Sequence, residues 1–305
     1  MKTFIVCGLH RSGTTFVGKL LQQTGVVVVH EPLNERFGFQ NVPIAYPYVS
    51  DEELTYHCLI DDAVHFKRAW NTDSSFIPSK GLRRKFYQLT GGKSGLRWAG
   101  LRARHLFGVM PRQVCLKDPF MSLATPYLAK KHQVKIVCMV RHPAAIHYST
   151  AKQGWRFDIQ NLRQQEKLVE TFVSDVSDEQ WQMAEEHAAA SIAVLWKVML
   201  RVNQQLAQES SCLKMIKHED LCLYPLETAK KVCSHFCVNF TESLESFVLT
   251  HSQGTKTEAE SGKVHDFKRN SKALVDSWRG HLSSFDEQLM KDIVGVDVES
   301  FYGCW

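Results

Sequence analysis

The residues best equipped for chemistry lie near the start of the chain, in Gly8-Leu9-His10-Arg11-Ser12-Gly13-Thr14-Thr15, between an apolar run, Phe4 to Cys7, and a stretch with apolar residues at Phe16, Val17, Leu20 and Leu21. That order reads strand, turn, helix. Backbone N–H groups that open a helix have no intrahelical partner and sit at the positive end of its dipole, so a glycine-permitted turn there cradles an anion such as phosphate. Thr14 and Thr15 add hydroxyl donors and Arg11 adds a cation. A nucleoside-triphosphate loop reads G-x-x-x-x-G-K-[ST]; Gly8 and Gly13 keep the spacing, but Thr14 stands where the lysine for the β- and γ-phosphates belongs. The missing lysine argues against a nucleoside triphosphate.

Three further strand ends carry candidates. Val26 to Val29 is an apolar β-branched run of the kind buried in a parallel sheet, and it ends in His30-Glu31-Pro32. The short run Val114 to Leu116 ends in Lys117-Asp118-Pro119, and the clearest strand, Val134 to Val140, ends in Arg141-His142-Pro143. Pro143 suits the first turn of a helix, which places Ser149 about one and a half turns along it. An Arg at a strand end and a hydroxyl on the next helix can hold one phosphate between them, the Arg through its planar fork. Ligands of open α/β sheets bind beyond the carboxyl ends of the strands, so all these groups should share one rim. The expected fold is α/β: a P-loop-like parallel β-sheet flanked by helices in three α/β/α layers.

The segment His10-Arg11-Ser12-Gly13-Thr14-Thr15-Phe16-Val17-Gly18-Lys19-Leu20-Leu21 resembles the 5′-phosphosulfate loop of the sulfotransferases, which bind 3′-phosphoadenosine 5′-phosphosulfate (PAPS). It is most similar to the carbohydrate O-sulfotransferase branch and its bacterial-type relatives, where Arg replaces the loop Lys. Glu31-Pro32 and Leu116-Lys117-Asp118-Pro119 resemble dipeptide and tetrapeptide marks of that group. Val140-Arg141-His142-Pro143 with Ser149 resembles the family's 3′-phosphate site, with His142 where Asp is usual. His218-Glu219-Asp220-Leu221 is similar to its Tyr-Glu-Asp-Leu, a recognition mark rather than a site, and Phe267-Lys268-Arg269-Asn270-Ser271 before Trp278-Arg279 resembles its C-terminal cofactor segment.

This resemblance implies transfer of the sulfuryl group of PAPS to an acceptor hydroxyl, leaving adenosine 3′,5′-bisphosphate, with no metal required. It implies that His10, Arg11, Ser12, Gly13, Thr14 and Thr15 contact the sulfated end of PAPS and that Arg141, Ser149, Lys268 and Arg269 contact its 3′-phosphate. Glu31 would be the general base for the acceptor proton, with His30 in reserve, while Arg11 and Lys117 would stabilise the transferring oxygens. The expected acceptor is a carbohydrate or glycoconjugate hydroxyl; a lipid or small-metabolite hydroxyl is the alternative. Outside the family, the alternative is a P-loop kinase or other nucleotide-binding enzyme.

The rest of the chain must position these groups. Its 305 residues, 44% hydrophobic and 23% charged, suit one sulfotransferase domain over 1–305, with an acceptor-covering insertion at about 34–112 and a lid-like loop at about 252–268. A net charge of +5 suits anionic ligands, and no nucleic acid is expected as a partner. Nine cysteines without C-x-x-C pairs point to reduced thiols and a cytoplasmic protein, with Cys233 and Cys237 expected as buried thiols of one helix. No stretch approaches the ~18 apolar residues of a membrane span. Lys80, Arg83, Arg84, Lys85, Lys93, Arg97, Arg102 and Arg104 form a basic run without Asp or Glu, interleaved with Phe86, Tyr87 and Trp98. It is expected to meet an acidic acceptor or anionic lipid, the latter as a peripheral contact at the inner membrane surface. Apolar residues recurring three or four apart predict one long helix from Ser177 to about Gln208.

Overall fold

The computed structural model describes residues 2–51, 54–73, 75, 81–252 and 271–305. Lys268 and Arg269, with nearly all of the loop expected at 252–268, lie outside the described residues.

Five strands, β1 (Lys2–Cys7), β2 (Val27–His30), β3 (Gln113–Lys117), β4 (Lys135–Val140) and β5 (Leu213–Lys217), pair in the order β2-β3-β1-β4-β5, every pair parallel. Their carboxyl ends therefore form one rim. Along β1, Phe4 and Val6 pack with Val17, Leu20, Phe236 and Val248 on one face, while Ile5 and Cys7 join Leu128, Ile146, Trp196 and Met199 on the other. Both faces are buried, which is why β1 to β4 read as continuous apolar runs instead of alternating.

The helices follow in chain order. After β1 comes α1 (Thr14–Gln23); between β2 and β3 lie α2 (His57–Val64), α3 (Leu82–Thr90) and α4 (Gly92–Leu106); α5 (Thr125–His132) precedes β4. Then α6 (Pro143–Ala151), α7 (Gln160–Arg163), α8 (Glu166–Phe172), α9 (Asp178–Glu186) and α10 (Ala188–Glu209) lead to β5, with α11 (His218–Leu223), α12 (Pro225–Phe236), α13 (Glu242–Ser252) and α14 (Ser284–Tyr302) beyond it. Side chains of α1, α12 and α13 cover one face of the sheet; those of α5, α6 and α10, with α14 packed on α10, cover the other. The three-layer α/β/α expectation holds. Between β2 and β3, Phe39, Phe66 and Trp70 pack around Trp98 and join the core of the second face.

Two expectations need correction. The single helix over 177–208 is two, because His187 is extended (φ −118, ψ 126) between α9 and α10. A straight helix of that span would be about 48 Å long, well beyond the sheet it covers. Breaking it lets Trp181 and Ala184 stay in the core while the Gln180 amide donates to the Asp292 carbonyl on α14. Cys237 is exposed, not buried: it is the left-handed C-cap of α12 (φ 54), which turns it away from the face that buries Cys233.

The turn after β1 depends on Gly8. Its φ is +117, and a Cβ there would lie 2.1 Å from the Met139 carbonyl oxygen on β4. Its N–H donates to Ser122 Oγ at 2.8 Å. Gly8→Ala is expected to cost about 3 kcal/mol or more, read as the loss in a denaturant melt, since backbone rather than a flexible side chain would have to yield.

Candidate active site

Residues 8–15 pass from the end of β1 to the start of α1. Gly13, in the left-handed conformation, is the N-cap and offers no side chain, so the first N–H groups of α1 are left for an outside acceptor. Thr14 and Thr15 line the cleft above them, as do His10 and Arg11. Ser12 does not. It is fully buried, and both its hydroxyl and its N–H donate to the Leu9 carbonyl (2.6 and 3.2 Å), so it closes the turn from within. The expectation that Ser12 faces the ligand is corrected on that ground.

Arg11 ties the turn to the end of β4. Its Nε donates to Ser149 Oγ on α6 at 2.8 Å, and its carbonyl accepts from Arg141 Nη1 at 2.9 Å. Arg141 is only 7% exposed; its Nη2 donates to the Leu274 carbonyl, and the Trp196 indole holds its own carbonyl from below. His142, the departure from the family pattern, lies outside the cleft lining and stacks on Trp278 at 4.6 Å with 11° between the rings. Burial first, then the neighbouring Arg279 and Arg141, push its imidazole down to about 3. A neutral ring fills that slot where a carboxylate would sit among aromatics. Glu219 instead accepts the His142 N–H and the Tyr302 hydroxyl, which joins the rim to α14.

Glu31 and Lys117 meet at the ends of β2 and β3. The sheet register sets His30 level with Lys117, so Glu31 emerges just beyond, and Lys117 Nζ donates to its Oε1 at 2.6 Å. Lys117 is 2% exposed and pairs with Glu31, not with Asp118. Asp118 is spent inward, accepting from the N–H groups of Leu33 and Phe120, and fixes the turn that carries Glu31. Burial opposes the Glu31 charge, but Lys117, His10 and the Asn34 amide outweigh it and hold the carboxyl at about 2. Glu31 (φ 54) and Arg11 (φ 69) are both left-handed without being glycine, costing about 1 kcal/mol or more each.

His10 sits beside this pair, with Nδ1 2.7 Å from the Tyr46 hydroxyl and its ring edge-on to Phe120. Burial lowers its imidazole to about 4, Lys117 and Arg11 adding to the effect against Glu31, so the ring is neutral at pH 7. His30, the reserve base, is corrected: its Nε2 lies against Gln22 at 3.2 Å and it does not line the cleft.

All these walls bound one cleft of about 1600 Å³. Pockets for one small ligand hold about 300–1,000 Å³, so two substrates fit side by side. Its lining has Arg11, Arg36, Lys117, Arg141, Lys152 and Arg156 against Glu31, Glu35 and Asp158, an anion-attracting balance. Tyr46, Phe120 and Trp155 lie around His10, with Phe157 against Tyr46, an aromatic side that sequence reasoning did not find: Tyr46, Trp155 and Phe157 come from loops without periodic signal and Phe120 from a single short 3-10 turn, Pro119–Leu123. Among the described residues, none of the basic run at 80–104 lines the cleft.

The rim of the parallel sheet brings a helix start without a side-chain cap beside a buried arginine, a geometry that suits an anionic ligand. A family model described as "Sulfotransferase family" matches residues 3–242, and the chain belongs to that family. It is a sulfotransferase, and sulfuryl transfer to a hydroxyl, for which the family generally uses PAPS, is its activity; the kinase alternative falls with that match. No curated protein matches the chain. Among solved structures, the sulfotransferase domain of the Synechococcus PCC 7002 olefin synthase is 15% identical, with 95% of this chain and 93% of that one covered and a TM-score of 0.45. The sulfotransferase domain from the curacin biosynthetic pathway is 15% identical, covering 97% and 96%, with a TM-score of 0.48. Sulfotransferase STF1 of Mycobacterium tuberculosis is 18% identical, covering 92% and 77%, with a TM-score of 0.40. The family assignment rests on the sequence match rather than on these likenesses.

Proposed function

We propose that this cleft binds PAPS with its sulfated end at residues 10–15 and its 3′-phosphate between Arg141 and Ser149, and directs the sulfuryl group to a carbohydrate or glycoconjugate hydroxyl. The supporting observation is Arg11, whose side chain bonds Ser149 while its carbonyl holds Arg141, so the two anion pockets share a wall. Bound PAPS supplies an activated sulfuryl group, with adenosine 3′,5′-bisphosphate as leaving group. Arg11 and the opening N–H groups of α1 would hold the sulfuryl oxygens, and Lys117, with ammonium hydrogens beyond its bond to Glu31, would stabilise the charge that develops on the leaving group. Glu31 accepts the acceptor proton. That hydroxyl turns strongly acidic only as its bond to sulfur forms, so a carboxylate held near 2 still takes the proton at that stage. Most of the rate comes from positioning and charge stabilisation, as in phosphoryl transfer.

The aromatic side formed by Tyr46, Phe120, Trp155 and Phe157, with Asn34, Arg156 and Asp158 between, supports a sugar: ring faces cover C–H surfaces and the polar groups meet hydroxyls. Unpaired thiols at all nine cysteines support a reducing, cytoplasmic setting, and no helix of the described residues is long and apolar enough to cross a membrane. The test offers glycans, lipid headgroups and small alcohols as acceptors with sulfur-labelled PAPS. Label entering glycans first is the expected result; label confined to lipids or small alcohols overturns the acceptor class, and no transfer from PAPS to any acceptor overturns the donor.

A further inference from the structure

Helix α3 lies on the outside of the molecule with no buried residue. Leu82, Phe86 and Leu89 follow at i, i+4 and i+7, one helical face, and are 86%, 43% and 83% exposed. Tyr87, on the far side of the same helix, is the residue that packs inward, edge-on to Phe37 at 6.3 Å. The apolar stripe therefore points away from the body. In α4, Trp98 and Leu101 face the core, whereas Leu96 and, just past the helix end, Phe107 and Val109 are exposed. The two helices are held close: Gly91 joins them at φ +66, a Cβ there would lie 2.2 Å from Trp70, and Arg97 bonds the Val28 carbonyl on the sheet edge. Arg83 and Lys85 are exposed on α3 and Lys93, Arg102 and Arg104 on α4, and no Asp or Glu occurs from Gly81 to Arg112.

We propose that α3 and α4 form a docking surface for an anionic lipid bilayer. Basic groups alone would suit a glycan or nucleic acid, but the methyl groups of Leu82 and Leu89 offer such partners nothing, and an exposed apolar stripe of this kind marks an interaction site. A second copy of the chain would bring like charges face to face. A bilayer with acidic headgroups meets both halves: the leucines and Phe86 enter the acyl boundary while the arginines and lysines reach the phosphates. Because Tyr87 rests on Phe37, and Phe37 lines the cleft, docking brings the cleft mouth beside the membrane. This surface is independent of the sulfuryl-transfer reading, since none of its exposed residues lines the cleft.

Sedimentation of the full chain with vesicles tests the proposal, using phosphatidylcholine alone and phosphatidylcholine with one third phosphatidylglycerol. Binding is expected to the acidic vesicles only and to weaken with salt. Leu82→Ser with Leu89→Ser should lower the partition coefficient about tenfold or more, and Arg83→Gln about fivefold, as the loss of about 1 kcal/mol per cation. Both variants should keep wild-type transfer to a soluble acceptor, which also confirms folding. Equal binding to neutral vesicles, unchanged binding by the leucine variant, or vesicles ignored while the wild type dimerises or binds RNA through this face would each overturn the proposal.

Discussion

Arg141→Ala is expected to raise the dissociation constant for adenosine 3′,5′-bisphosphate by about two to three orders of magnitude, while leaving the constant for adenosine 5′-monophosphate close to that of the wild type. The size follows from preorganisation. The guanidinium is nearly sealed from solvent, its two terminal nitrogens are aimed by the carbonyls of Arg11 and Leu274, and the backbone behind it is pinned by Trp196. Little ordering remains to be done when a phosphate arrives, so most of the charge-assisted bonding appears as affinity. Arg141→Lys should recover only part of the loss, because an ammonium lacks the planar fork. Ser149→Ala acts more mildly, about tenfold, by removing the hydroxyl that would contact the 3′-phosphate and that anchors Arg11 at 2.8 Å. Calorimetry with the two nucleotides decides: equal losses for both would move Arg141 away from the 3′-phosphate.

The strand ends were legible because burial on both faces writes parallel strands as unbroken apolar runs, and because the chemistry follows directly on them at Gly8, Glu31, Lys117 and Arg141. What joins those ends was not. The Glu31–Lys117 pair depends on β3 lying beside β2, and the order β2-β3-β1-β4-β5 is a property of chain crossings, not of local pattern. Ser12 shows another limit: a hydroxyl in a loop is visible in the sequence, but its direction is set by whether Leu9 or the cleft claims it. His30 and His10 illustrate the same point in pairs, since the one next to Glu31 in sequence turns toward Gln22, and the one twenty-one residues earlier stands beside it in space. Tyr46 and Trp155 sit on loops whose conformations follow from distant contacts, the Gln165 amide bonding the Tyr46 carbonyl among them.

Glu31→Gln should cut turnover about 10²- to 10⁴-fold while adenosine 3′,5′-bisphosphate binds as before, since the amide keeps the shape and an acceptor oxygen for Lys117 but cannot take a proton. The pH dependence follows from the sign of the shift. Folding lowers this carboxyl from 4.5 to about 2, so its contribution to stability is complete above 4.5 and is lost as the pH falls through about 2. The wild-type melting temperature should therefore drop more steeply than that of the variant between those values, while at neutral pH the variant is the less stable, by up to about 3–5 kcal/mol, because the buried Lys117 ammonium has lost its counter-charge. Turnover must accordingly be compared well below the variant's melting temperature. His10 supplies the decisive contrast, because its neutral imidazole is the other group beside the reacting centre able to accept a proton at pH 7. If His10→Asn silences the enzyme while Glu31→Gln turns over normally, the proton goes to the imidazole, and Glu31 serves only to hold Lys117 in place.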